Sequence, residues 1–425
     1  MLSNAQKEAR TFLEKHGMLA DAPMERELKR YLAEMEDVLN GSIASLKMIP
    51  TYTGKYQPSG KPEKAIVLDL GGTNCRTALV TFMQGREAVI EKYRSFPAPG
   101  IEREISPELY FDQIAAGLEE IAGESSCIGF CFSHASIPQK NGDAVFSAAS
   151  KQLKVPELMG QPLGKCLRAA LQRKGWKDDH RITVINDSVA VALAGSAENS
   201  SHSADGYLGF IYGTGTNTCY TEQLPDGEAV INVESGAYAL FPRGDLDDRF
   251  NSTLPEKETD RFEKMVSGGY QGGLMKTILT AGCEDGLFTH RSAENFAALH
   301  TVSAKDISAF SAGQKGSALL SACAEASDAE KLLYICNELT DRSARLSCIT
   351  LTAALIKGKA GLSADAFITA EGSTFSLQKG FRETLEQYMH QFTWEKYGIR
   401  SSFHVLENAV LKGTAAAGLA QRNIL

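Results

Sequence analysis

Residues 65–74, with the sequence AIVLDLGGTN, form a continuous apolar run that ends at two adjacent glycines. A short apolar run closed by glycines predicts a buried strand followed by a tight turn. Two alternating segments come next, CRTALVTFM (75–83) and EAVIEKYRSF (87–96). Three successive strands with tight turns predict an antiparallel meander at the start of a sheet.

Strand-like and helix-like segments alternate after this meander. A helix predicted near 107–122 precedes the strand CIGFCFS (127–133), and a helix near 157–173 precedes the strand ITVIND (182–187). This alternation predicts an α/β fold. On the other side of the meander, residues 1–50 have a helical pattern, and 51–63 have the Gly, Pro and Ser content of a linker.

A second cycle begins at residue 207. YLGFIYGTGTN (207–217) and the following TCYTEQL repeat the strand, Gly/Thr/Asn turn and strand of residues 68–80, about 140 residues earlier. The later segments predict helices at 257–281, 328–356 and 376–392, strands at 366–372 and 402–409, and a closing helix of small residues. The repeat predicts two related α/β domains that face each other across a cleft, although two short turns can also resemble each other by chance.

Composition excludes several classes of protein. The chain has 425 residues, a net charge of −8 and no basic block, so we expect no nucleic-acid or anionic-membrane partner. No apolar run reaches membrane-spanning length, and the charged amphipathic N-terminus does not resemble a secretory signal. The nine cysteines form no closely spaced Cys-x-x-Cys pairs, which indicates reduced thiols. We therefore expect a cytoplasmic protein.

Three turns are candidates for binding phosphate. In the first, Gly71 and Gly72 let the backbone approach a ligand closely, and Asp69 at the strand end can orient Mg²⁺ through water. The second turn is 213–217, and the third places Gly372 and Ser373 at the start of a helix. Each has a plain structural alternative, a hairpin turn or a strand-to-helix connection. None has the spacing of a Walker or Rossmann motif.

Asp187 is the candidate catalytic carboxylate. It lies where a buried strand meets a helix, a position at which an Asp is usually the N-cap. The alternative is a general base that accepts the proton of a sugar hydroxyl as a P–O bond forms, with Asn186 binding the sugar. Lys151 is a candidate for cationic help at the transferring phosphoryl group.

Seven blocks of this sequence, taken together, resemble the classical hexokinases of the actin-like ATPase superfamily. The resemblance extends from about residue 40 to about residue 420, as in a single-unit member of bacterial or protist size. The blocks are SLKMIPTY (45–52), LDLGGTNCR (68–76), VINDSVA (184–190), YGTGTNTCY (212–220), INVESGAY (231–238), RFEKMVSGGYQG (261–272) and AEGS (370–373).

The resemblance implies two actin-like (ribonuclease H-like) domains facing a central cleft, each with a mixed five-stranded sheet flanked by helices. Residues 60–187 and 410–425 would form a small domain, 188–409 a large domain, and 1–59 helices that pack on the large domain. The implied reaction is ATP-dependent phosphorylation of the 6-hydroxyl of a hexose, with glucose as the first candidate and Mg²⁺ as cofactor.

The resemblance also assigns roles to individual residues. Asp187 would be the general base and Lys151 would contact the phosphates. The remaining substrate-binding residues would be Ser133, Ser150, Asn186, Asn217, Glu234 and Glu263. The nucleotide would contact Asp69, Gly71, Gly72, Thr73, Asn74, Arg76, Gly213, Thr214, Gly215, Thr216, Gly372 and Ser373. Asp69 and Asp187 would hold the metal through water.

Three positions depart from the family pattern. Ser133-His134-Ala135-Ser136-Ile137-Pro138 stands where the family has Ser-Phe-Pro, which gives a longer and more polar loop. Ser235 stands where the family has an aromatic residue, and Ser150 replaces Thr. These changes bear on which hexose is preferred. The alternatives are a kinase for mannose, fructose or an N-acetylated hexosamine, a catalytically weak sugar sensor, and an actin-like or chaperone-like ATPase that acts on proteins.

Overall fold

The computed structural model describes residues 1–19, 21–54, 56, 59–83, 86–148, 153–199, 204–225 and 227–420. Within them the chain folds into two mixed sheets and a small hairpin, with helices packed on both sheets. The strands are β1 (Ile49–Thr51), β2 (Glu63–Leu70), β3 (Asn74–Met83), β4 (Arg86–Pro97), β5 (Cys127–Phe132), β6 (Ser136–Pro138), β7 (Ala144–Phe146), β8 (Arg181–Ile185), β9 (Tyr207–Tyr212), β10 (Thr216–Leu224), β11 (Gly227–Asn232), β12 (Ala366–Glu371) and β13 (Ser401–His404).

The helices of the described residues run from the N-terminus to residue 420. They are α1 (Asn4–Lys15), α2 (Met24–Leu39), α3 (Pro107–Ala116), α4 (Leu163–Arg173), α5 (Asp187–Glu198), α6 (Asp245–Ser252), α7 (Arg261–Val266), α8 (Gly268–Glu284), α9 (His290–Ala298), α10 (Ala304–Ser311), α11 (Ala318–Ala322), α12 (Ala326–Lys357), α13 (Ser373–Leu377), α14 (Phe381–Tyr388), α15 (Glu395–Tyr397) and α16 (Ala409–Ala420). In this part of the chain, none combines the length and the apolar character needed to cross a membrane.

The first sheet has the strand order β4-β3-β2-β5-β8. β2, β3 and β4 pair antiparallel, which confirms the predicted meander, and β5 and β8 run parallel to β2. The central strand β2 is a continuous apolar run because both faces of the sheet are covered there, and its side chains point alternately to the two faces. Ile66 and Leu68 pack in a cluster with α3 and α4, whereas Ala65 and Val67 pack in a cluster with α5 and α16.

The second sheet repeats this topology in the order β11-β10-β9-β12-β13, with β1 added at the β11 edge. β9, β10 and β11 pair antiparallel, and β12 and β13 run parallel to β9. The repeat predicted from the two Gly/Thr/Asn turns is therefore confirmed at the level of topology. The second sheet has six strands rather than the predicted five because Ile49–Thr51 pairs with β11. This strand lies where the segment predicted as helical (1–50) meets the predicted linker (51–63), so both predictions are wrong at these residues.

Two helices of small residues cross between the sheets. α5 follows β8 of the first sheet but packs on β9 and β12 of the second, whereas α16 follows β13 and packs on β2 and β5. The helices also pack on each other, and a Cβ added to Gly413 would lie 1.7 Å from the carbonyl oxygen of Ala190. Only glycine permits this approach.

Several predicted boundaries were wrong. The helix predicted at 257–281 is interrupted at Ser267, and the one at 376–392 is interrupted at Gly380, which has a φ of 82°. The strand predicted at 402–409 ends at His404, and the strand predicted at 182–187 ends at Ile185. The last difference matters because it places Asp187 in a helix.

Candidate functional site

A cavity of about 510 Å³ lies between the two sheets. One wall is formed by residues 47–51, which lead into and form β1, together with Asn232 and Glu234 after β11. The other wall is formed by residues 133–138 after β5 and residues 184–186 at the end of β8. Ends of strands from both sheets therefore contribute to one cavity, which is where ligands bind in open α/β folds.

Asn186, not Asp187, caps helix α5. The Asn186 Oδ1 atom accepts hydrogen bonds from the Ser188 backbone N–H at 3.0 Å and from the Ser188 Oγ at 2.8 Å. The prediction that an Asp here is usually the N-cap is therefore wrong for Asp187, which is the first residue of the helix. Its Oδ1 accepts from the same backbone N–H at 2.8 Å, so its orientation is fixed while the capping role belongs to its neighbour.

Burial raises the pKa of Asp187 to about 6, and the negative charges of Glu234 and Asp69 contribute to this rise. Hydrogen bonds from the Ser188 backbone and the Ser133 hydroxyl act in the opposite direction. A carboxylate with this pKa is mostly ionised at neutral pH yet more basic than an exposed Asp. Those are the properties of a general base.

A hydrogen-bonded network of amides orients Glu234. The Asn232 Nδ2 donates to Glu234 Oε1 at 2.7 Å, and the Asn217 Nδ2 donates to the same oxygen at 3.2 Å and to Asn232 Oδ1 at 2.8 Å. Glu234 has a positive φ of 55°, and burial raises its pKa. The sequence analysis did not select Asn232 as a site residue, although an amide two residues before Glu234 on the same strand end could have indicated it.

Ser235, which stands where the family pattern has an aromatic residue, is fully buried, with its Oγ 3.4 Å from Thr218 Oγ1.

Glu263 approaches the same site from helix α7. Its Oε2 accepts a hydrogen bond from the Thr216 backbone N–H at 2.9 Å, and a Cβ at Gly215 would lie 2.5 Å from that oxygen. The glycine of the second turn is therefore needed for this contact. Burial, together with the charges of Asp260 and Glu234, raises the pKa of Glu263 to about 7, while the hydrogen bond from the Thr216 backbone acts in the opposite direction.

Replacing Glu263 by Gln should stabilise the unliganded protein at pH 8 but not at pH 4. The folded pKa of about 7 lies above the ordinary value for Glu, so the stability from this group is lost as pH rises from about 4 to about 7. Gln removes that loss and can still accept from Thr216. We expect a gain on the order of 1 to 3 kcal/mol in the free energy of unfolding at pH 8. Chemical denaturation of the wild type and of the variant at pH 4 and pH 8 measures this gain.

A gain in stability that is the same at both pH values would contradict the prediction. The control is Glu258→Gln, which changes an exposed carboxylate in the same way.

The first phosphate turn connects β2 to β3. Asp69 is 5% exposed, and its Oδ2 accepts from Arg76 Nη1 at 3.3 Å. Burial raises the pKa of Asp69, while Arg76 acts against this. The turn is closed by a 3.0 Å bond from the Gly71 N–H to the Asn74 carbonyl, and Thr73 is exposed. Gly72 lies between Gly71 and Thr73 in this turn.

The second turn is attached to α8 and α13 through its carbonyl groups. The Gly213 carbonyl accepts from the Gly268 N–H at 2.8 Å and from Thr374 Oγ1 at 3.0 Å, and the Thr214 carbonyl accepts from the Gly269 N–H at 2.9 Å. Within the described residues, the N–H groups of Thr214 and Gly215 donate to no protein acceptor. The bond from Thr374 thus joins the second turn to the segment that contains Gly372 and Ser373. The N–H groups of Thr214 and Gly215 remain available to bind an anion.

Oxygen ligands for a metal are sparse in this site. Across the described ranges, no group of three or more His, Cys, Asp or Glu side chains is arranged to hold a metal ion. The negative charge of Asp69 contributes to the raised pKa of Asp187. Two carboxylates fit Mg²⁺, which usually keeps several waters and is bound by one or two carboxylates and substrate phosphates.

Two predicted residues, Ser150 and Lys151, lie outside the described residues. All other predicted site residues belong to the structure. Those on strand ends and helix starts are Ser133 after β5, Asn186 and Asp187 at α5, Asn217 in β10, and Glu263 in α7. Sequence reasoning gave no signal for Ser267 and Thr374, which hold the carbonyls of the second turn.

Comparisons with known protein families match nearly the whole length of the chain. Two family models described as hexokinase match residues 11–197 and residues 207–420. Hexokinase-1 of Pongo abelii is 28% identical over 409 residues, and Hexokinase-1 of Homo sapiens is 27% identical over 409 residues. Each alignment covers 88% of this chain and 43% of the relative, so the chain spans less than half the length of these curated relatives.

Solved structures show the same fold. A hexokinase from Schistosoma mansoni complexed with glucose superimposes with a TM-score of 0.76 at 20% identity, and a second hexokinase crystal structure gives a TM-score of 0.82 at 20% identity. Both comparisons cover 98% of this chain and 100% of the solved chain.

Proposed function

Because this chain belongs to the hexokinase family, we propose that it transfers the γ-phosphoryl group of ATP to the 6-hydroxyl of a hexose, with glucose as the first candidate. One observation carries the proposal. Asp187 begins α5 directly after Asn186, which lines the cavity together with Glu234. The charges of Glu234 and of Asp69, at the end of β2, both raise the pKa of Asp187. A base for phosphoryl transfer to a sugar must lie between a phosphate site and a sugar site.

The hexose would occupy the cavity between the sheets. Its hydroxyl groups would donate to the carboxylates of Glu234 and Glu263 and exchange hydrogen bonds with the amides of Asn186 and Asn217. Ser133 would contribute a hydroxyl from the opposite wall. Ser150 and Lys151 complete this proposal through the family resemblance, with Ser150 at the sugar and Lys151 at the phosphates.

ATP would bind where the three turns meet. The unpaired N–H groups of Thr214 and Gly215 support a phosphate site there. Gly71, Gly72, Thr73 and Asn74 of the first turn, with Arg76, would face the phosphates from the other sheet. On the second sheet, Gly213 and Thr216 would complete the phosphate site, and Gly372 and Ser373 would contact the nucleoside. Asp69 and Asp187 would hold Mg²⁺ through water, and the ion would supply neutralisation of the phosphate charge.

In the reaction, Asp187 would accept the proton of the 6-hydroxyl as that oxygen forms its bond to the γ-phosphorus. The bond from the γ-phosphorus to the β–γ bridging oxygen would break, and ADP would leave with that oxygen. The raised pKa of Asp187 supports this role because a weaker acid is a stronger conjugate base.

We propose two domains that close over the substrate. The small domain would comprise 60–187 and 410–425, the large domain 188–409, and residues 1–59 would pack on the large domain. The packing of α1 and α2 on α12 supports the last assignment. Closure would expel water that could otherwise accept the phosphoryl group.

The nine free cysteines support a reducing, cytoplasmic location.

A coupled ADP-release assay tests the proposal. With Mg-ATP, we expect glucose, mannose or fructose to raise ADP release well above the rate without sugar, and the panel should include N-acetylglucosamine. The measurement is the initial rate against sugar concentration. If no sugar raises ADP release while glucose still binds by calorimetry, the protein is a sugar sensor and the proposed reaction is wrong.

A further inference from the structure

His134 is the second residue beyond the end of β5. The Ser133 backbone N–H still donates to the Leu70 carbonyl at 3.1 Å, which continues the sheet for one residue. The His134 ring packs against Phe132, with ring centroids 5.1 Å apart and planes inclined by 58°. Together with Ser133, Asn186 and Glu234 it lines the cavity between the sheets.

The wall that carries His134 is held against the opposite wall. Strands β6 and β7 form a hairpin directly after it, and β6 packs on β1 of the second sheet. At the tip of this hairpin, the Lys140 Nζ lies 5.6 Å from the centre of the Tyr52 ring, within the range of a cation–π contact. These contacts and the packing on Phe132 restrict the positions that the imidazole can take.

The ring nitrogens of His134 have no hydrogen-bond partner among the described residues, although the side chain is half-buried. Burial lowers the pKa of His134, so its imidazole is neutral near pH 7. A neutral imidazole has one N–H donor and one nitrogen acceptor. Polar side-chain groups normally have hydrogen-bond partners, and this ring borders the cavity, where a ligand or water can supply one.

We infer that His134 hydrogen-bonds a hydroxyl group of the bound hexose and thereby helps determine which hexoses bind well. The inference rests on the proposed function, since it takes the cavity as the sugar site. A sugar hydroxyl is both donor and acceptor and matches either nitrogen of the ring. In the hexokinase pattern the residue after the corresponding Ser is Phe, which offers no such bond. In the longer loop of this chain His134 follows Ser133 and adds a polar group to the cavity wall.

The test compares His134→Phe with the wild type. Phe retains the packing on Phe132 and removes only the polar atoms. We expect glucose binding, measured by calorimetry, to weaken about 3- to 10-fold, the range of one neutral hydrogen bond. In the ADP-release assay KM should rise by the same factor while kcat stays within about twofold. His134→Gln, which keeps a donor and an acceptor, should recover part of the affinity.

Deoxy sugars identify the hydroxyl. Among 1-, 2-, 3- and 4-deoxyglucose, one should bind wild type and His134→Phe equally, because the partner of His134 is missing from it. His404→Phe is the matched control: His404 stacks on Phe367 with centroids 3.7 Å apart and does not line the cavity. It should leave glucose binding unchanged.

Three results overturn one or both proposals. Unchanged glucose affinity in His134→Phe overturns the inference, and so does an equal loss for glucose and every deoxy sugar, which would indicate a structural role. Wild-type protein that binds glucose without phosphorylating any hexose overturns the proposed function alone, and the binding comparison still decides the role of His134. Wild-type protein that neither binds nor phosphorylates a hexose overturns both.

Discussion

The Asp187→Asn variant is expected to lose about 10²- to 10⁴-fold in kcat, the usual contribution of a general base. Asn has the same shape as Asp, and its Oδ1 can still accept the 2.8 Å hydrogen bond from the Ser188 backbone N–H. An amide cannot take the proton of the sugar hydroxyl. Binding of the sugar through Glu234 and Glu263 remains, so KM for glucose should change far less than kcat.

The pH dependence of the wild-type rate should carry the same signature. Asp187 must be ionised to act as a base, and its pKa is about 6. The kcat for the hexose, which reports groups of the enzyme–substrate complex, should therefore be constant above about pH 7 and fall about tenfold per unit well below pH 6. The charge of Glu234 helps to raise this pKa, so the Glu234→Gln variant should move the acid limb to lower pH.

Thermal unfolding provides the control for Asp187→Asn. A buried carboxyl with a raised pKa contributes stability only at low pH, and that contribution is lost as pH rises from about 4 to about 6. The Asn variant should therefore be at least as stable as the wild type at pH 8. A variant that keeps more than about a tenth of the wild-type kcat would show that Asp187 is not the base.

The sequence predicts those parts of the site that depend on local patterns. The Gly-Gly and Gly-Thr-Gly turns follow apolar strands, and their similarity predicts the repeated topology of the two sheets. The position of Asp187 at a strand-to-helix junction is also a local feature. Its role was ambiguous because Asn186 and Asp187 are both good N-cap residues, and only the structure shows that Asn186 takes the cap.

Contacts between distant segments could not be predicted. The bond from the Thr216 N–H to Glu263 joins residues 47 positions apart, and neither residue carries a local signal for the other. The β6–β7 hairpin is similar: its strands have three residues each, too few for an alternation to be recognised. His134 was noticed as a departure from the family pattern, but its position in the cavity depends on that hairpin. The roles of Ser150 and Lys151 stay predictions.

The largest loss of stability is expected from breaking the ion pair between Asp247 in α6 and Arg342 in α12. The two side chains are each 3% exposed and form two parallel bonds, Nη1 to Oδ2 at 2.8 Å and Nη2 to Oδ1 at 3.0 Å. The Asp247→Ala variant would leave the Arg342 charge buried without a counter-charge. Removing one member of such a pair costs about 3–5 kcal/mol in the free energy of unfolding.

A neighbouring pair on the same helix supplies the matched control. Arg249 in α6 also forms two bonds to a carboxylate, that of Glu284, at 2.6 and 2.8 Å, but both side chains are about half exposed. Water and salt screen this pair, so the Glu284→Ala variant should unfold close to the wild-type midpoint. Equal losses in Asp247→Ala and Glu284→Ala would contradict the argument that burial makes the difference.

The double variant Asp247→Leu with Arg342→Met separates a buried charge from a lost contact. If the cost of Asp247→Ala comes from the unpaired charge, replacing both partners by apolar residues should recover most of the lost stability. Affinity for the hexose need not recover with it. Arg342 Nη2 also donates to the carbonyl of Met265 at 3.2 Å, two residues beyond Glu263 in α7. The double variant should therefore regain the unfolding midpoint while its KM for the hexose stays raised, because Glu263 loses part of its support.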